Sequence, residues 1–205
     1  MTKSYLIATN QVELETEVNR SRFICFLFPC QSADDLRVEL KRLQQLHPQA
    51  SHHCHAFVAG HPLDSQKYGF SDDGEPSGTA GRPMLAVLQG SDIGEIAAIV
   101  VRYFGGTKLG TGGLQRAYGA SVRNALALIE TELQVATDIR TVACHYHQVK
   151  DIQHLVGQTQ SEIVSQEFQE KVIFVLAIPC DQLKLFEQQL LTLSAGDLKL
   201  TKVQA

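Results

Sequence analysis

The 205-residue sequence has no uninterrupted apolar run of 18 or more residues, and its first residues lack the pattern of a signal peptide. We therefore expect neither a membrane-spanning helix nor secretion. The five cysteines are scattered and form no Cys-x-x-Cys pair, which argues against a disulfide framework and favours a reduced cytoplasm. These absences predict a cytoplasmic protein with no membrane partner.

The sequence also lacks an excess of positive charge, because its formal net charge at pH 7 is −4. Strong non-specific binding to DNA is therefore not expected. Two nucleotide-binding motifs are absent as well: no Gly-Lys-Ser/Thr ends a glycine loop, and Gly-x-Gly-x-x-Gly does not occur. The sequence thus contains neither a Walker loop nor a dinucleotide fingerprint.

Glycine, in contrast, is concentrated in one stretch, since eleven of the fifteen glycines lie between Phe70 and Gly119. Glycine permits positive φ angles and close approach of another main chain, a phosphate or a base, at a cost of roughly 0.5–1 kcal/mol relative to alanine. Tight turns and helix packing are sufficient reasons for any single glycine. For the whole cluster we favour a binding surface.

Two oppositely charged segments lie in this stretch. The first is an acidic loop of unknown role, and the second is a basic segment that lies between Glu95 and Glu130, where no acidic residue occurs. The two segments either pair with each other or leave the basic one free to bind an anion. The acidic residues are Asp72, Asp73 and Glu75, and the basic residues are Arg102, Lys108, Arg116 and Arg123.

A glycine-rich loop in the basic segment comes between an apolar run and a helical pattern. Thr111 is the predicted helix cap, and the unpaired N–H groups of the first turn, with the positive end of the helix dipole, suit an anion. The candidate anion or nucleic-acid site comprises Arg102, Gly105, Gly106, Lys108, Gly110, Thr111, Gly112, Gly113 and Arg116.

Hydrophobic periodicity predicts the secondary structure of the first part of the chain. The histidines of His52-His53-Cys54-His55 alternate between the two faces of a strand, which favours polar histidines at a strand edge over a metal site. The predicted elements are a hairpin of residues 11–18 and 22–28, a helix capped by Ser32 and ending at Leu46, a short helix through residues 84–88 capped by Ser77 or Thr79, a buried strand of residues 96–104, and a helix with the apolar stripe Leu114, Tyr118, Val122, Ala125 and Ile129.

The polar segment of residues 131–138 is predicted to link two domains, of residues 1–132 and 137–205. The second domain is predicted to have the order strand, helix, strand, strand, helix, strand, which is the ferredoxin-like βαββαβ pattern. The predicted ranges are strands at 140–145, 162–168, 172–178 and 197–203, with helices at 149–156 and from 179–181 to 193. The fold class is α+β.

Three segments resemble the signature of the family that contains bacterial YigZ proteins and the eukaryotic IMPACT translation regulators. They are Ser71 to Gly81, Val100 to Gly106 and Leu109 to Leu114, and the His52-His53-Cys54 sequence is also similar. The resemblance implies that the first domain has the fold of the second domain of ribosomal protein S5. It implies that the second resembles domain V of elongation factor G.

Two functions are compatible with these features. We favour a non-enzymatic protein that binds RNA or the ribosome, regulates translation and needs no metal or cofactor. The alternative is a magnesium- and nucleotide-dependent phosphotransferase or hydrolase, because small-molecule kinases of the GHMP group share the S5-like fold. In that alternative the glycine-rich loop would bind phosphate and the acidic loop would hold Mg²⁺. The sequence leaves the oligomeric state open.

Overall fold

The computed structural model describes residues 4–202 and shows a mixed α+β protein. The chain divides into two compact units, one of residues 5–134 and one of residues 135–202 together with Ser4. Each unit has its own apolar core. None of the helices in residues 4–202 has the length and apolar character that crossing a bilayer would require.

Eight strands and three helices form the larger unit. Five of the strands make one antiparallel sheet. The long apolar strand predicted at residues 96–104 lies in its centre, where both of its faces are covered. The strands are β1 (Tyr5–Ala8), β2 (Val12–Val18), β3 (Ser21–Pro29), β4 (His52–Val58), β5 (Tyr68–Ser71), β6 (Ile93–Gly94), β7 (Ile96–Tyr103) and β8 (Thr131–Gln134). The order of the large sheet is β2-β3-β7-β4-β5.

The helices cover both faces of the large sheet. Helix α1 (Ala33–Leu46) packs on one face, and α2 (Gly81–Gln89) and α3 (Gly110–Leu126) pack on the other. Ser32 caps α1 and forms a reciprocal capping box with Asp35, so that predicted helix start is confirmed. The predicted apolar stripe of α3 is buried from Leu114 to Ala125, whereas Ile129 lies beyond the end of the helix.

The predicted caps of α2 and α3 are wrong. Neither Ser77 nor Thr79 caps α2, because the N-cap position is Ala80 and the acceptor comes from another part of the loop. Thr111 lies inside the first turn of α3, which begins one residue earlier at Gly110. The N-cap position is Leu109, which has no side chain that could accept a hydrogen bond, and Gly110 has a positive φ of 71° that glycine tolerates.

The predicted linker of residues 131–138 is also partly wrong. Its first four residues form β8, which pairs antiparallel with β1, and β1 pairs in parallel with β6. All four β8 residues are exposed, so the sequence has no apolar alternation there that would indicate a strand.

The smaller unit has the predicted order of strands and helices. Its sheet is antiparallel with the order β10-β11-β9-β12, and an apolar core lies between the sheet and the two helices. The elements are β9 (Thr137–Cys144), α4 (Val149–Gln158), β10 (Glu162–Phe168), β11 (Val172–Pro179), α5 (Leu183–Leu193) and β12 (Thr201–Lys202). Helix α5 starts later than predicted and β12 is shorter, although Val203 of the predicted last strand lies outside the described residues.

Candidate functional site

Asp72 of the acidic loop caps α2 from a distance. Its carboxylate accepts hydrogen bonds from the backbone N–H groups of Gly78 (2.8 Å), Ala80 (3.0 Å) and Gly81 (2.8 Å). Burial raises the pKa of Asp72, but the three N–H donors outweigh burial and hold the pKa below its ordinary value. Asp72 thereby satisfies donors that a helix start leaves unpaired.

Asp73 joins the same loop to the start of β4. Its Oδ2 accepts the backbone N–H of His53 at 2.6 Å, and its carbonyl oxygen lies 2.7 Å from Nδ1 of His52. These two contacts involve the first residues of β4, which do not pair with β5. The histidines alternate between the two faces as predicted, and residues 52–54 pair with β7 only, although β4 is an interior strand further along and His53 is buried.

Glu75 and Arg102 form a buried ion pair. Nη1 of Arg102 donates to Oε1 of Glu75 at 2.5 Å, and the two side chains are 6% and 4% exposed. The same carboxylate oxygen accepts the hydroxyl of Tyr118 at 2.7 Å, while Nη2 of Arg102 lies 3.4 Å from the Ser21 hydroxyl. The two charged segments therefore meet in the interior, and Arg102 is directed toward Glu75 instead of the surface.

Cys54 extends this network. Its thiol donates to the carbonyl oxygen of Asp72 at 2.9 Å and lies 3.4 Å from the hydroxyl of Tyr118. Burial raises the pKa of the Cys54 thiol to about 12 and also raises the pKa of Tyr118. Both groups stay protonated at neutral pH, so Cys54 does not supply a thiolate nucleophile.

The three carboxylates of the acidic loop are thus all directed at donors of the protein. Asp72 and Asp73 accept backbone N–H groups, and Glu75 accepts from Arg102 and Tyr118. Within residues 4–202, no group of three or more His, Cys, Asp or Glu side chains is arranged to hold a metal ion. Each carboxylate of this loop is therefore engaged by at least one donor of the protein itself.

The glycine-rich loop lies against the turn between β2 and β3. A Cβ atom on Gly105 would overlap the main chain of Arg20 and Ser21, so only glycine allows this close approach. The N–H of Gly105 donates to the Ser21 hydroxyl at 3.2 Å. Arg20 is exposed and in the left-handed region, with φ 65°. Arg20 is therefore an exposed cation beside the glycine-rich loop. Nothing in the sequence indicates that these two segments are neighbours.

The start of α3 is open. Among the described residues, no side chain caps it, and Gly110, Thr111 and Gly112 are exposed. A Cβ atom on Gly112 would have one near neighbour, Nη1 of Arg116 at 3.6 Å, so the Arg116 guanidinium lies beside the first turn. This arrangement combines unpaired N–H groups with a cation at the positive end of a helix dipole.

The remaining predicted residues are at the surface or half-buried. Gly106 has a φ of 83° and is exposed, Gly113 is half-buried, and Lys108 is exposed. Within residues 4–202, neither Lys108 nor Arg116 forms an ion pair. The sequence did not single out Gln115 of α3, whose Nε2 donates to the carbonyl oxygen of Gly78 at 3.3 Å and joins the helix to the acidic loop.

Both loops lie in the part of the chain, residues 19–126, that matches the Impact N-terminal domain. The chain belongs to the IMPACT family. Residues 142–197 match a domain of unknown function, DUF1949. The family resemblance of the sequence motifs is thereby confirmed.

Relatives in the IMPACT family are similar over nearly the whole chain. An IMPACT family member of Haemophilus influenzae is 47% identical over 194 residues, which cover 95% of this chain and 94% of the relative. IMPACT family member YigZ of Escherichia coli is 43% identical over 202 residues, which cover 98% and 99%. A crystal structure described as that of a hypothetical protein is 42% identical, covers 100% of this chain and 99% of its own, and has a TM-score of 0.72.

Proposed function

We propose that this IMPACT family protein binds RNA, free or in the ribosome, through the glycine-rich loop of residues 105–109 and the exposed start of α3 as far as Arg116. The observation that supports this proposal is the start of α3, which is exposed, has no side-chain cap and has the guanidinium of Arg116 beside it. Its backbone N–H groups are donors for a phosphate oxygen. Phosphate contacts of this kind position a protein on RNA without reading sequence.

Charge at the surface supports the same proposal. Lys108, Arg116 and Arg20 are exposed, while Arg102 and Glu75 neutralise each other in the interior. The exposed loop therefore has cations and no acidic residue of its own, although the whole chain has a net charge of −4. We expect binding of modest affinity with a strong dependence on salt. In this proposal Arg102 holds the loop in place and does not contact phosphate.

The proposal includes a role in translation, without catalysis and in the cytoplasm. We propose that residues 5–134 form a domain similar to the second domain of ribosomal protein S5. The second domain would be ferredoxin-like and similar to domain V of elongation factor G. The order β10-β11-β9-β12, with both helices packed against one apolar core, supports the second assignment. The engaged carboxylates of the acidic loop favour binding over the magnesium-dependent phosphotransferase.

Replacement of Lys108 by alanine tests the proposal. We expect weaker RNA binding and a smaller slope of log K against log salt, by about 0.7 for one lost phosphate contact on a single strand. Lys41→Ala is the matched control, because Lys41 is an exposed lysine of α1, on the opposite face of the sheet. Fluorescence anisotropy of labelled RNA and co-sedimentation with ribosomes at two salt concentrations give the measurement.

An unchanged salt dependence in Lys108→Ala would contradict the proposed site, and an equal change in Lys41→Ala would show only a general charge effect. Absence of RNA and ribosome binding by the unaltered protein would refute the function itself. Calorimetric titration with magnesium and ATP distinguishes RNA binding from the alternative function, because saturable nucleotide binding would favour the phosphotransferase.

A further inference from the structure

We infer that Phe104 is a stacking platform for an unpaired RNA base, an inference that rests on the proposed RNA binding. Phe104 directly follows the central strand β7 and begins the glycine-rich loop, and the residue is 51% exposed. An exposed aromatic ring in a segment that also carries exposed cations is the combination with which proteins bind single-stranded nucleic acid. The inference specifies the ligand as RNA with accessible bases, in preference to duplex RNA.

The main chain on both sides of the ring is held in place. The N–H of Phe104 donates to the Ser51 hydroxyl at 3.3 Å, and the N–H of Gly105 donates to the Ser21 hydroxyl at 3.2 Å. The ring is therefore presented by a fixed strand end, which lowers the entropy cost of stacking a base on it.

The side chain also has a fixed neighbour. The guanidinium carbon of Arg102 lies 5.7 Å from the centroid of the Phe104 ring and 5.4 Å from that of the buried Phe23 ring. Because Glu75 holds this guanidinium, the same buried ion pair orients the aromatic ring. About half of the side chain remains open to solvent next to the loop that we propose for phosphate.

Phe104 and the cations have separable roles. Phosphate contacts by Lys108 and Arg116 would act on single-stranded and duplex RNA alike, whereas stacking requires an unpaired base. Removal of a stacking aromatic ring typically weakens binding by roughly 5- to 150-fold per base. The difference between the two RNA forms therefore reports stacking and is independent of the phosphate contacts.

A single tryptophan can report this contact, because the chain has no tryptophan of its own. In Phe104→Trp, we expect the fluorescence of the new indole to be quenched by a short oligoadenylate at the concentrations at which anisotropy detects binding. Phe70→Trp is the matched control: Phe70 is a comparably exposed phenylalanine, at 48%, but lies on the edge strand next to the acidic loop. Its fluorescence should not change.

Phe104→Ala should weaken binding of the oligoadenylate by roughly 5- to 150-fold and leave binding of duplex RNA nearly unchanged. Phe104→Tyr, which keeps a ring, should bind as the unaltered protein does, and melting temperatures confirm that each variant is folded. RNA binding without quenching at position 104, or with equal affinity in Phe104→Ala, would refute stacking and leave the phosphate site standing. Failure of the unaltered protein to bind any RNA would refute both.

Discussion

Replacement of Glu75 by alanine should lower the free energy of unfolding by about 3–5 kcal/mol, the usual cost of removing one partner of a buried ion pair. The substitution leaves the Arg102 guanidinium, which is 6% exposed, without its carboxylate. It also removes the acceptor of the Tyr118 hydroxyl. Denaturant unfolding of the variant and of the unaltered protein measures the difference.

The matched control is an exposed ion pair of the same unit. Arg22 donates to both carboxylate oxygens of Glu15 at 2.8 Å, and the side chains are 49% and 46% exposed. Glu15→Ala should cost no more than about 1 kcal/mol. The double variant Glu75→Gln/Arg102→Met should recover part of the loss, because both buried charges are then absent. A cost for Glu75→Ala equal to that for Glu15→Ala would contradict the buried pair.

Replacement of Gly112 by valine should weaken RNA binding by about 100-fold, the loss expected for about two hydrogen bonds from N–H groups to a charged phosphate. The valine would stand over the open start of α3 and block the approach of phosphate. It should fold normally, because Gly112 does not have a positive φ and a Cβ atom there has no close main-chain neighbour. Anisotropy titration with labelled RNA measures the effect.

Gly157→Val is the control for this substitution. Gly157 is an exposed helical glycine of α4 with nothing near its missing Cβ, so valine there introduces a β-branched residue into a helix away from the proposed site. Its RNA binding should be unchanged. Tight binding by a folded Gly112→Val variant would place the phosphate contacts elsewhere.

Patterns local in sequence predicted much of the fold. The apolar run of β7, the α3 stripe and the Ser32 cap depend on neighbours within a few residues, and each is confirmed. The exposed strand β8 was missed because a polar edge strand has no apolar alternation. Its partner β1 lies more than a hundred residues earlier, a distance over which periodicity gives no information.

The candidate site was less predictable because its contacts join distant segments. The sequence placed Arg102 in the candidate anion site, with pairing to the acidic loop as the alternative, and did not distinguish Glu75 from Asp72 and Asp73 as the partner. The structure pairs Arg102 with Glu75 and leaves Asp72 to cap α2. Arg20 was missed because its position next to Gly105 depends on the packing of the β2–β3 turn. The sequence therefore identified the glycine-rich loop but did not predict which of the charged side chains around it are exposed.

Hydrogen exchange of the backbone amides, with and without RNA, tests the central claim most directly, because the proposed phosphate donors are N–H groups. Addition of a short single-stranded RNA should slow exchange in a peptide that contains residues 105–113. Exchange in a peptide from α1, on the other face of the sheet, should not change. RNA binding with unchanged exchange in residues 105–113, or with protection confined to another part of the chain, would contradict the account.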